Sequence, residues 1–177
     1  MIIIEGTDCV GKTTLAKKIE AQAGLLYRHL SKPPDGFHPY YGYLPLMNRN
    51  FVCDRLWLSD IAYRQAEGTQ CKITPFIRDM LIAQQTLLGA VQIVIICDRE
   101  LLKQKYKPET EMYDVQTLLN ANDAFSIMEM SGKLFGIDLR FRLTEAIPWV
   151  NDGMLEQIVR LHAKKQMDLI ELFLQKQ

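Results

Sequence analysis

Residues 1–14 read Met1-Ile2-Ile3-Ile4-Glu5-Gly6-Thr7-Asp8-Cys9-Val10-Gly11-Lys12-Thr13-Thr14. The apolar opening predicts a strand, the residues from Lys12 onward predict a helix, and the segment between them has the spacing of a phosphate-binding loop. Glycine is required at Gly6 and Gly11 because backbone amides must wrap closely around phosphate oxygens, in conformations that a side chain obstructs. Lys12 supplies positive charge, Thr13 offers a hydroxyl to magnesium, and the amino end of the helix adds its partial charge to the same phosphates. Asp8, Cys9, Val10, Gly11, Lys12, Thr13 and Thr14 are therefore the expected cradle for a nucleotide's phosphates.

Working outward, the chain of 177 residues is long enough to bury its own core without metal or disulfide support and is expected to form a single domain, 1–177. Its 21 Lys and Arg balance its 21 Asp and Glu, so no global field draws it to a nucleic acid polymer or an acidic membrane. Cys9, Cys53, Cys71 and Cys97 show no zinc-ligand spacing, which fits a reduced, cytoplasmic protein. Neither a leader-like stretch nor a bilayer-length apolar segment is visible.

Strands are predicted at Ile2 to Glu5, Leu25 to His29, Phe51 to Asp54, Val91 to Cys97 and Leu139 to Leu143. Most are short, unbroken and β-branched, as strands covered on both faces are. Helical patterns fall between them at Lys12 to Ala23, Pro39 to Met47, Leu56 to Glu67, Pro75 to Leu88 and Asp114 to Met130, with a long one from Asp152 to about Gln175. Thr74-Pro75 opens one helix as cap and first-turn residue, and Gly89 closes it. The alternation predicts an open parallel α/β sheet, whose ligands bind beyond the carboxyl ends of the strands. Gly6 to Thr13, Asp54-Arg55 and Asp98-Arg99 are expected to converge there. At the end of Phe51-Val52-Cys53-Asp54-Arg55, an aspartate can hold magnesium and a guanidinium can grip a phosphate with two parallel hydrogen bonds.

Glu5 to Thr14, the strand-end Asp54-Arg55 and the basic segment after Asp98 together resemble the thymidylate kinase and deoxynucleoside kinase superfamily. Glu5-Gly6-Thr7-Asp8 and Asp54-Arg55 look most like the thymidylate kinase forms. The resemblance implies a P-loop fold with a five-stranded parallel sheet in the order 2-3-1-4-5. It also implies ATP as phosphoryl donor, a mobile lid around residues 99–113, and a homodimer formed through helix faces. The family's phosphate-loop roles carry to Gly11, Lys12 and Thr13, and its acceptor-phosphate contact carries to Arg55. Two positions depart from the family pattern. Leu56 follows Asp54-Arg55 where an aromatic residue or histidine is usual, and the lid segment holds one arginine, Arg99, backed by Lys103, Lys105 and Lys107. Lysine lacks the planar fork of arginine, and Arg99 and Lys105 are the catalytic candidates among these cations.

The acceptor divides the enzymatic readings. A nucleoside hydroxyl needs a carboxylate base, whereas a monophosphate oxygen is already anionic and needs alignment and charge neutralisation. Deoxynucleoside kinases typically carry glutamate where this chain has Asp54, and the shorter side chain favours a (deoxy)nucleoside monophosphate acceptor of thymidylate type. The alternative is a deoxynucleoside kinase with Asp54 as base. A third reading, a nucleotide-binding module without turnover, is separated from both by nucleotide-dependent ADP release. A GTP-driven switch is disfavoured by the lack of an Asn-Lys-x-Asp tetrad, and a motor ATPase by arginine rather than glutamate after both strand-end aspartates. Tyr40 and Tyr41, in the aromatic stretch from Lys32 to Tyr43, are candidates for stacking on a base. Phe76, Arg78 and Gln84 are candidates to enclose or read it, Gln84 because it falls on an apolar helix stripe where a buried amide needs partners.

Overall fold

A computed structural model describes residues 1–34, 36–145 and 150–175. Five strands, β1 (Ile2–Gly6), β2 (Leu26–His29), β3 (Phe51–Asp54), β4 (Val91–Cys97) and β5 (Leu139–Leu143), form one sheet in the order β2-β3-β1-β4-β5. Every neighbouring pair is parallel. The central strands Ile2-Ile3-Ile4 and Val91 to Cys97 are wholly buried, because each has a helical layer on either face, and all their side chains but Gln92 are apolar. β5, at an edge, alternates instead, with Arg140 and Arg142 exposed.

Among the described residues, seven α-helices connect and cover the strands: α1 (Lys12–Ala23), α2 (Pro39–Tyr43), α3 (Trp57–Ala66), α4 (Pro75–Leu87), α5 (Arg99–Lys105), α6 (Val115–Met130) and α7 (Asp152–Leu174). One pair, α1 and α7, meets and covers β1, β3 and β4; a second pair, α3 and α6, meets and covers β1 and β4. Trp57 and Phe125, from α3 and α6, are among the largest side chains sealed in the core. Each contributes roughly 2–3 kcal/mol by leaving water.

Two segments differ from the sequence expectation. The helix predicted over 39–47 is α-helical only to Tyr43 and tightens into a 3-10 turn at Leu44–Leu46. Pro45 has no amide hydrogen to continue the ladder. A helix not predicted, α5, starts immediately after β4 because Asp98 caps it: its carboxylate accepts from the amides of Glu100 and Leu101 at 3.0 and 3.4 Å. Elsewhere the predicted caps hold, with Thr74 Oγ1 accepting from the Ile77 amide and Gly89 left-handed after α4.

The register decides what meets at the carboxyl ends. Ile4 lies beside Asp54 and His29 lies beside Asp54, so β1, β3 and β2 end together and deliver the loop from Gly6, the Asp54-Arg55 pair and His29 to one rim.

Candidate active site

Gly6 leaves β1 with φ 145°, and a Cβ there would meet the Ile95 carbonyl oxygen of β4 at 2.5 Å. Only glycine lets the loop depart so close to the neighbouring strand. The chain then reaches Gly11, left-handed at φ 81°, which opens α1 without a side-chain cap. The first amides of α1 are thus free to face a ligand anion. Val10 is packed in the core and offers only backbone, whereas Thr13 and Thr14 are exposed at the start of the helix.

A cleft of about 340 Å³ lies over this loop, lined by Asp8, Cys9, Gly11, Lys12, Thr13, His29, Asp54, Arg55 and Glu111. Lys12 is buried; its ammonium donates to the Thr7 carbonyl at 2.5 Å and stands 3.6 Å from Asp8. Burial holds its pKa below the usual lysine value, opposed by the carboxylates of Asp54 and Glu5. Thr13 Oγ1 donates to Asp54 Oδ2 at 2.5 Å, and Tyr27 Oη and His29 Nδ1 approach the same oxygen at 3.5 and 3.3 Å. Asp54 Oδ1 is buried with no hydrogen-bond partner among the described residues. A hydroxyl joined to a carboxylate with one free buried oxygen fits magnesium, which keeps several waters and takes few protein oxygens. Among the described residues no cluster of three or more His, Cys, Asp or Glu forms a protein-only metal site.

Arg55 has φ 74°, unusual for a bulky residue, and its guanidinium pairs with Asp8 of the loop while lying 5.4 Å over the Tyr63 ring. It is the shared wall between the cleft and an adjoining cavity lined mainly by α3 and its two cap residues (Leu56, Ser59, Asp60, Tyr63, Arg64, Glu67), the segment from Leu30 to Pro33, Tyr43 and Tyr113. Tyr63 closes the junction. Its hydroxyl accepts from the Asp8 amide at 3.0 Å and donates to the Asp8 carboxylate at 3.1 Å. Its ring stacks on Tyr113 at 4.7 Å. Burial raises the Tyr63 phenol above its ordinary pKa, so it stays a hydrogen-bond donor. In the cavity Arg64 donates to Asp60 at 2.7 Å and Lys32 to Glu67 at 2.7 Å. Cys9 has its thiol pushed up to about 12, first by burial and then by Glu111 beside it, which removes it as a nucleophile.

Several sequence candidates lie elsewhere. Asp98-Arg99 does not reach the cleft: Asp98 caps α5, and Arg99 turns to Asp123 of α6. Lys105, at the end of α5, lines neither the cleft nor the cavity, and Lys103 pairs with Glu100. The cap at Asp98 directs the basic residues along a helix instead of over the loop. Tyr40, Tyr41 and Phe76 line a different groove between α2 and α4, with His38, Thr74, Ile77 and Met80. Arg78 pairs with Asp79, 5.8 Å from the Phe135 ring. Gln84 is only half-buried. The buried amide of α4 is Gln85, satisfied internally by Gln92 of β4 at 2.6 Å.

Residues that sequence reasoning passed over are Tyr63, Ser59, Asp60, Arg64 and Glu67; from the segment 99–113, Glu111 lines the cleft and Tyr113 the cavity. The α3 set had a readable signal, since polar side chains recur three and four apart straight after Asp54-Arg55. His29 had none, because its carboxylate partner Asp54 lies on another strand.

The loop, the strand order and the cleft beyond the strand ends define the class: a P-loop α/β fold, with the sheet order that the sequence resemblance implies. A similar solved structure is the crystal structure of the YorR protein of Bacillus subtilis in complex with phosphorylated GDP. Its TM-score is 0.71 at 16% identity, over 94% of this chain and 97% of that one, a likeness of fold. Deoxyadenosine kinase from M. mycoides with bound dCTP matches at a TM-score of 0.48 and 15% identity, over 90% of this chain and 97% of that one, too slight to carry an argument. No family model matches the sequence, and no curated protein is significantly similar to it.

Proposed function

We propose that this protein transfers the γ-phosphoryl group of ATP, with magnesium, to a (deoxy)nucleoside monophosphate of thymidylate type. The observation that carries this reading is Arg55, which stands in the wall common to the loop cleft and the adjoining cavity. A guanidinium there can hold an acceptor phosphate in line with a donor phosphate on the loop. Lys12 and the first amides of α1 hold the β- and γ-phosphates and neutralise charge as the phosphoryl group moves. Thr13 and the free oxygen of Asp54 would hold magnesium, which supplies charge neutralisation between the phosphates. The nucleoside part of the acceptor points toward the cavity, which at about 30 Å³ has to widen to admit it, with Tyr63 and Tyr113 on one side and the Asp60–Arg64 pair along its edge. Residues 99–113 act as the lid, through Glu111 and Tyr113 and not through Arg99 or Lys105. A monophosphate needs no base, so Asp54 is free to remain with Thr13.

The test is ADP formation from ATP and magnesium in the presence of each deoxynucleoside monophosphate, each deoxynucleoside, and GMP and GDP. The guanine nucleotides are included because the YorR crystal structure holds phosphorylated GDP. Stimulation by monophosphates, lost by roughly a thousandfold or more in Lys12→Ala, is the expected result. Stimulation by nucleosides alone would reassign Asp54 as a base, and a fully active Lys12→Ala would end the mechanism.

A further inference from the structure

We infer that Glu5 is a positioning residue for Arg55: its carboxylate, enclosed between the phosphate loop and the start of α3, sets the direction in which Arg55 meets an acceptor phosphate. The inference rests on the reading of Arg55 given above.

Glu5 is fully buried at the end of β1, one residue before the loop. Its Oε1 accepts from the amides of Leu56 and Leu58 at 3.0 Å each, and its Oε2 accepts from the Ser59 amide at 3.2 Å and the Ser59 hydroxyl at 2.5 Å. A helix start leaves several amides without partners, and α3 has none from its own cap residue, Leu56. A carboxylate from another strand fills that role. Its oxygens face the end of a helix that favours negative charge.

The consequence falls on the residue between the two anchors. The Arg55 amide donates to the Ile4 carbonyl at 2.9 Å, and the next amide, of Leu56, donates to Glu5. Arg55 is thereby tied to consecutive residues of β1 on either side of its own Cα, and it adopts φ 74°. For an arginine this conformation costs on the order of 1 kcal/mol and persists only where the surroundings over-determine it. The same strand that launches the phosphate loop therefore fixes the backbone from which Arg55 reaches past that loop. Donor and acceptor phosphates are held in register through one side chain, which touches neither.

The experiment is a double-mutant cycle between Glu5→Gln and Arg55→Ala. It reads the KM of whichever monophosphate gives turnover and the Kd of a non-hydrolysable ATP analogue. An amide accepts through only one of the two oxygens and turns an N–H₂ toward two donors, so Glu5→Gln should loosen the turn at Arg55. In the otherwise native protein the acceptor KM should rise roughly tenfold while the analogue Kd moves by less than about twofold. In the Arg55→Ala background Glu5→Gln should add nothing further to KM. Equal effects in both backgrounds, or a parallel loss of ATP affinity, would mean that Glu5 only supports the fold and would overturn the inference. Ser59→Ala removes one of the four donors without burying an unpaired group, and it should show the same KM split at roughly two- to threefold; an unchanged KM there also counts against the inference. A native protein that ignores every monophosphate overturns the reading of the site, and this inference with it.

Discussion

At the scale of single residues, Glu5 and Gly6 set opposite kinds of constraint on the same turn. Burial raises the Glu5 carboxyl from 4.5 to about 7, and its hydrogen bonds to Ser59, Leu56 and Leu58 only partly oppose the rise. An acid with a raised folded-state pKa binds a proton more tightly when folded than when unfolded. Its contribution is therefore full below about pH 4.5 and is lost as pH rises through about 7. The shift corresponds to roughly 3 kcal/mol across that window. Denaturant unfolding of native and Glu5→Gln protein between pH 4 and 8 should show a downward slope with pH that the variant lacks; parallel curves would contradict it. Gly6 acts through shape alone. A methyl group there meets the Ile95 carbonyl of the adjacent strand, so Gly6→Ala should cost on the order of 2–3 kcal/mol and weaken nucleotide binding, read by denaturation and by titration with an ATP analogue.

Among the elements, α5 shows how one cap redirects a set of charges. Asp98 accepts from two amides of the first turn, and once the helix forms, Lys103 and Arg99 find carboxylates on α5 and α6 instead of the phosphate cleft. Asp98→Ala should remove about 1 kcal/mol of local stability. Faster amide exchange confined to residues 99–105, with little change in the global midpoint, is the expected outcome. Unaltered exchange would show that packing of Leu101 and Leu102 suffices without the cap. The α3 helix is the contrasting case. Its first amides are capped from β1, so the position of its polar face, Ser59 to Glu67, is coupled to the strand that carries the phosphate loop.

For the whole molecule, the sheet holds the loop cleft and the adjoining cavity on either side of Arg55, and ligand binding should register in global stability. Saturation with ATP and magnesium at about a hundred times Kd stabilises by roughly 2.7 kcal/mol. For a chain of this size that raises the melting midpoint by roughly 5–10 °C. The shift should vanish in Lys12→Ala, because in the proposed reading the ammonium holds the nucleotide's phosphates; a retained shift would mean that binding does not use the loop. Among the described residues no helix is long and apolar enough to cross a membrane. The α/β order, the five strands and the loop from Gly6 to Thr14 were legible in the sequence because each depends on local features: unbroken β-branched runs, cap residues, and glycines at fixed spacing. Asp54-Arg55 was legible for the same reason, as a polar pair ending an apolar strand. Contacts between strands were not. His29 joins Asp54 only through parallel register, Glu5 meets the start of α3 only after β1 and β3 pair, and the segment 99–113 brings Glu111 to the cleft and Tyr113 to the cavity but neither Arg99 nor Lys105. The choice of Gln85 over Gln84 as the buried amide depends on which face of α4 turns inward. Local chemistry writes the elements and the loop, whereas the company each side chain keeps depends on groups distant along the chain, and only the folded sheet brings those together.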